Sequence, residues 1–139
     1  MLEAVSARDI AVSGMRVQRV RMTVSANNIA NINTTRTASG GAFRRQLAVL
    51  KGSQIRPNME AEKFGVRVKR VESDPSPLRT VFQPGHPDAD ADGYVAYPNI
   101  DLATEMVDLV SAQRAYEANI AVLASDRRMN QKALEIIQA

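Results

Sequence analysis

The sequence has no cysteine and no tryptophan, and only three phenylalanines, three tyrosines and a single histidine among 139 residues. Without cysteine there can be no disulfide, no thiolate metal site and no cysteine nucleophile. One histidine, His86, leaves no material for a multi-histidine metal site and little for a histidine-based triad. No Gly-rich phosphate loop or catalytic signature stands in the chain, so an enzyme is not expected. Nor is there an apolar run approaching the ~18 residues that span a bilayer. The N-terminal stretch MLEAVSARDIAVSG carries acids and lacks a continuous apolar core, so no cleaved secretory signal and no lipid insertion are expected. With few large rings, the core must be thin and built from Val, Ile, Leu, Met and Ala.

The net charge of +3 is unevenly divided. Residues 1–70 hold ten Arg and three Lys against four acids; residues 71–139 hold four Arg and one Lys against eleven acids. Halves of +9 and −6 can satisfy each other, within one molecule or between copies, whereas a nucleic-acid binder keeps a basic face free. Nucleic acid is therefore not an expected partner.

Three zones follow from the breakers. Residues 1–35 read as a helix ending among asparagines, residues 36–98 as a β-rich middle with loops, and residues 99–139 as a long helix. All six prolines and six of the seven glycines fall between the helices, and none lies in residues 99–138. The fold class predicted is α+β: two long terminal helices paired as a coiled coil around a small antiparallel β-rich middle domain. Short strands are expected at Phe43–Leu50, Phe64–Glu72, Arg79–Phe82 and Tyr94–Tyr97, with loops at Ile55–Glu62, Ser73–Pro77 and Pro84–Gly93.

The C-terminal zone carries the plainest periodicity. Steps of four and three from Leu102 pass through Met106, Leu109, Gln113, Tyr116, Ile120, Leu123, Arg127, Asn130, Leu134 and Ile137, and eight of the eleven positions are apolar. A helical seam of that length extends roughly 54 Å, more than a small core covers. Pro98 and Asn99 supply its stop and cap, with Asp101 and Glu105 at the positive end of the dipole. A second apolar stripe runs along the far side through Val107, Val122, Met129 and Ile136. The N-terminal helix repeats the arrangement, with Ile10, Val17, Val20 and Val24 on one face and Met15, Met22 and Ile29 nearly opposite. Helices apolar on two faces need two sets of neighbours. The inner stripes are expected to pair with each other and the outer ones to meet other subunits.

Asn27, Asn28 and Asn31 at the end of the first helix read either as helix termination or, for Asn27 and Asn31, as buried amides that fix the register of packed helices, with Gln113 and Asn130 as counterparts. Asp88, Asp90, Asp92 and Gly93 match the first half of an EF-hand loop, but position 12 is Asn99 and the flanks are not helical, so an acidic turn is expected and no metal or cofactor. His86 reads as a loop residue. The Arg44–Arg45 pair reads as a salt-bridging face.

The segment Ser25–Thr35, SANNIANINTT, resembles the ANNLANxNT signature of bacterial flagellar rod and hook proteins. GGAFRR at residues 40–45, DPSP at 74–77, PGHPD at 84–88, GYV at 93–95 and YPNI at 97–100 are similar to the proximal-rod branch of that family. EMV at 105–107 and SAQRAYEAN at 111–119 resemble the C-terminal signature shared by the axial proteins. The resemblance covers nearly the whole chain and is least specific at residues 51–63 and the last ten.

It implies a structural subunit of the flagellar basal-body rod. Such proteins self-assemble with the other proximal- and distal-rod proteins into a tubular drive shaft across the periplasm. Their terminal helices form the inner coiled coil of the hollow tube, which transmits torque and serves as the export channel. The family is exported without a cleaved signal. Contact with the membrane-ring and export-gate complex at the rod base is a further implied partner. A freestanding coiled-coil oligomerisation or adaptor protein is the alternative, distinguished by termini that fold without other proteins. In the rod reading the termini stay largely unfolded before assembly.

Overall fold

The computed structural model describes residues 6–53 and 65–138. The elements run α1 (Ala7–Ala30), β1 (Gln46–Ser53), β2 (Gly65–Ser73), β3 (Arg79–Phe82), β4 (Tyr94–Tyr97) and α2 (Leu102–Gln138). The class is α+β as expected. Strands β1 and β2 pair antiparallel in one two-stranded sheet and β3 and β4 in another, where the sequence suggested one small sheet. The expected loop at Ile55–Glu62 lies outside the described residues.

Helix α1 starts where Ser6, in extended backbone, accepts a hydrogen bond from the Asp9 N–H through its hydroxyl. It ends among the asparagines. The Asn31 amide donates to the Asn27 backbone carbonyl (2.9 Å) and side-chain oxygen (3.1 Å), closing the last turn. Helix α2 starts at Asp101, whose carboxylate accepts from the Thr104 N–H (2.9 Å) and hydroxyl (2.7 Å). The cap is thus two residues beyond the expected Asn99, because Asn99 is engaged elsewhere. These hydrogen bonds from the Thr104 hydroxyl and then the Thr104 N–H hold the Asp101 carboxyl below its ordinary value.

The two helices lie against each other in opposite directions. The Asn28 amide near the end of α1 donates to Glu105 near the start of α2 (3.1 Å), and Gly14 faces the Asn119 carboxamide. A Cβ at Gly14 would stand 3.0 Å from Asn119 Oδ1 and Nδ2, so the missing side chain is what lets the backbones approach. On α1 the buried residues are Ala11, Val17, Val24, Ser25 and Asn28. On α2 the covered or partly covered positions step through Glu105, Leu109, Ala112, Tyr116, Asn119, Leu123 and Asp126. That progression of fours and threes shares Leu109, Tyr116 and Leu123 with the seam read from hydropathy, but every second position is displaced by one residue. Ala112 is fully buried, whereas Met106 and Ile120 are exposed. Helices that approach at a glycine take small or hydrogen-bonding residues at the closest positions and turn bulky ones aside.

The β1–β2 hairpin packs on α1, with the Val66 N–H donating to the Ser13 hydroxyl (3.2 Å). Val49 pairs with Arg70 and Leu50 with Val68, so Lys69 is the extra residue of a β-bulge. β1 begins three residues later than expected. The β3–β4 pair matches its expected limits. It is closed by Gly93 at φ +82°, where a side chain would meet Phe82 at 2.9 Å as well as straining the backbone. Phe82 and Tyr94 stack edge to face at 5.3 Å, and Arg79 lies 5.3 Å over the Tyr97 ring.

Candidate assembly site

Four segments meet at one point: the end of α1, the start of β1, the turn after β2 and the start of α2. Glu105 and Asn28 are each only 1% exposed, although one is charged and the other an amide. Burial of such groups is tolerable only with every polar atom paired. The Arg45 Nε lies 2.5 Å from Glu105 Oε1, and the same guanidinium reaches Asp108 at 3.2 Å and Asp74 at 3.9 Å. Asn28 donates to Glu105 Oε2 and to the Gln46 carbonyl (2.9 Å), and accepts from the Gln46 N–H (2.9 Å). The Arg45 N–H donates to the Asn99 side chain (2.9 Å), whose amide in turn donates to the Ser76 carbonyl (3.2 Å). Among the described residues no buried side-chain polar atom lacks a partner.

Electrostatics support the same arrangement. Burial acts to lower the Arg45 pKa, but the hydrogen bond and charge of Glu105, then Asp108 and Asp74, outweigh it and hold the guanidinium above its ordinary value. Ser76, through its side chain and backbone, holds the Asp74 carboxyl below its usual value. Sequence reading put a salt-bridging role on Arg44–Arg45. Arg45 fills it, and Arg44 donates instead to the Ser76 carbonyl at 3.1 Å. The node fixes the ends of both helices to the sheet and leaves the rest of their surfaces for packing.

Along α2, large apolar side chains stand exposed on more than one face: Leu102, Met106, Val107, Ile120 and Val122 beside the helix pair, and Met129, Leu134, Ile136 and Ile137 beyond it. The Asn28–Glu105 and Gly14–Asn119 pairings put the start of α1 level with residue 126. From there α2 continues roughly 18 Å, and every described side chain from Arg127 to Ile137 is exposed. No helix among the described residues is long and apolar enough to cross a membrane. Singly scattered apolar residues are ordinary on a monomer's surface, whereas this many along one helix make it a candidate interaction surface.

The chain is also similar to known proteins. Residues 9–36 match the model of the flagella basal body rod protein family, and residues 91–136 match that of the flagellar basal body rod FlgEFG protein C-terminal region. The flagellar basal-body rod protein FlgC of Borreliella burgdorferi is 41% identical, over 96% of this chain and 97% of its own. Those of Yersinia enterocolitica and Bacillus subtilis are 42% and 38% identical, over 94% and 92% of this chain and 95% and 94% of theirs. The chain belongs to the FlgC family.

The two family models coincide with the two elements that meet at the node, because residues 9–36 contain Asn28 and residues 91–136 contain Glu105. Within this FlgC-family chain, the residues read as inner-seam positions are placed unequally. Val17, Val24 and Asn28 are buried; Val20, Asn31, Leu109, Tyr116 and Leu123 are half-buried; Ile10, Asn27, Leu102, Met106, Ile120, Leu134 and Ile137 are exposed. Of the stripe read as outward, Met15, Met22 and Ile29 are half-buried, and Val107, Val122, Met129 and Ile136 are exposed.

The buried amide is Asn28 rather than Asn27 or Asn31, since Asn28 continues the covered face of Val17 and Val24 while the other two bond each other at the helix end. Gln113 and Asn130 are exposed and bond Glu117 and Asp126 on their own helix; the amide facing α1 is Asn119. Sequence reading missed Glu105 as the partner of Arg45 and Asn28. A lone acid in the first turn reads as a dipole complement, and only the pairing of distant segments shows it buried. In the acidic loop, Asp88 bonds Thr35 and Arg36, and Asp90 accepts from the Asp92 and Tyr94 N–H groups. The loop residue His86 accepts from the Asp88 N–H.

Proposed function

We propose that the chain works as a structural subunit of the bacterial flagellar basal-body rod, in the bacterial basal body, assembling with other rod proteins. The observation that carries this reading is full-length FlgC similarity on a chain whose long helix exposes apolar side chains on several faces. In this reading α1 and α2 pair as a coiled coil, residues 1–35 and 99–139 form the inner layer of a tube, and residues 36–98 its outer surface. Torque passes through the packed helices without covalent chemistry, and the tube interior serves as the export channel. Neighbours along and around the tube are proximal- and distal-rod proteins, with the membrane-ring and export-gate complex at the base. The subunit reaches its place without a cleaved signal peptide.

The Glu105 node narrows the expectation for the free subunit. Residues anchored near it hold together alone, and the stretch beyond Asp126 orders when neighbours cover it. Deleting the gene and isolating basal bodies tests the assignment. Structures that stop before the distal rod, restored by the wild-type gene, are expected; complete rods and normal swimming in the deletion strain would sink it.

A further inference from the structure

The fold sorts its charge along the α1 axis. Val66 on Ser13 places the far end of the β1–β2 hairpin beside the N-terminal third of α1, and Arg127 and Arg128 share a groove with Arg8 there. Arg8, Lys51, Arg67, Lys69, Arg127 and Arg128 are all exposed toward that end. None of the six has an ion pair with a described residue. Among the described residues the acids nearby are fewer and bond close neighbours: Asp9 accepts from Ser6, Asp126 from Asn130, and Glu135 pairs with Lys132. Lys51 stands directly across the strand pair from Arg67, an arrangement of like charges that disfavours the isolated hairpin.

The other end has the opposite sign. Thr35 and Arg36 bind Asp88 just past the end of α1, so the Asp88–Asp92 loop lies beyond the node, more than about 22 Å along the axis from Ser13. Asp74, Asp88, Asp90, Asp92, Asp101, Glu105 and Asp108 outnumber Arg21, Arg36, Arg44, Arg45 and Arg79 there. Asp92 is exposed, and its carboxylate makes no bond with a described residue.

We propose that the basic end is a docking surface for the carboxylate-bearing loop of a second copy of this chain, joined end to end. A contact between two different patches is heterologous and sets a direction of growth. Opposite charges make the tip-to-tail orientation attractive and the tip-to-tip and tail-to-tail orientations repulsive. Apolar stripes hold subunits side by side in the assembly reading; charge chooses which way up they stand. The inference rests on that reading only in taking subunit packing as the chain's role.

Sedimentation of the purified full chain at roughly 0.05 M and 0.5 M salt tests it, since the Debye length shrinks between them. Wild type is expected to associate at low salt and at least about tenfold more weakly at high salt. Lys51→Glu/Arg67→Glu/Lys69→Glu, reversing one end, is expected to abolish low-salt association. So is Ala91→Lys/Asp92→Lys, which reverses the other and leaves Asp90 to hold the turn. The chain carrying both sets should associate again. Lys51→Gln/Lys69→Gln, gentler on strand pairing, should weaken association with unchanged circular dichroism. Absence of low-salt association, insensitivity to salt and reversal, or failure of the double reversal to recover would overturn the proposal. Rods that still form in cells carrying either single-end reversal would overturn it too, while leaving the rod assignment standing.

Discussion

Glu105 is the residue on which the most structure depends, because its carboxylate answers Arg45 from the sheet and Asn28 from α1 at once. Removing one partner of a buried pair leaves the other uncompensated, so Glu105→Ala is expected to cost about 3 kcal/mol in urea unfolding. Replacing Arg45 and Glu105 together by leucine should cost less than the sum of the single changes, which a double-mutant cycle reads directly. Acid acts on the same region. The folded-state pKa values of Asp101 and Asp74 lie below the ordinary 3.8. Their stabilisation is therefore present at neutral pH and is lost as pH falls below about 4. Helix content followed by circular dichroism should be flat above pH 5 and fall in that acid range, with a shallower fall in Asp101→Asn. The asparagine run was visible as a feature of the sequence, but which amide is buried depends on the rotation of α1, which the Val17–Val24 face fixes only once a partner helix is present.

At the scale of the element, the helix pair is set by its smallest members. Gly14 brings α1 onto Asn119, whose amide is already bonded to the Ala115 carbonyl and so has little freedom to yield. Gly14→Val is expected to push the helices apart at a cost of about 2 kcal/mol, measured by thermal unfolding, although valine in a helix interior would not otherwise be worse than glycine. Hydropathy stepping located α2, its extent and the inner positions Leu109, Tyr116 and Leu123. It could not see Glu105, Asn119 and Asp126, since a polar residue on a covered face is visible only through its partner. β3 and β4 were legible as short runs bounded by Gly and Pro. β1 starts late because Arg45 reaches inward to Glu105 and its N–H goes to Asn99, so pairing with β2 begins only at Gln46.

The whole molecule is a node with two helices running from it, the longer of them exposing apolar side chains past the end of its partner. Limited trypsin digestion of the free chain is expected to cut first at Arg127, Arg128 and Lys132, with Arg45 resistant, as mapped by mass spectrometry. Equal resistance along α2 would favour the freestanding coiled coil, whose ends need no other protein. Membership of the FlgC family makes assembly the chain's business, and Val122 tests that most directly because it is exposed beside the helix pair and takes no part in the node. Val122→Asp expressed in a strain lacking the chain should accumulate with unchanged helix content, yet give basal bodies without a complete rod and cells that do not swim. Complete rods and normal swimming with that variant would contradict the account.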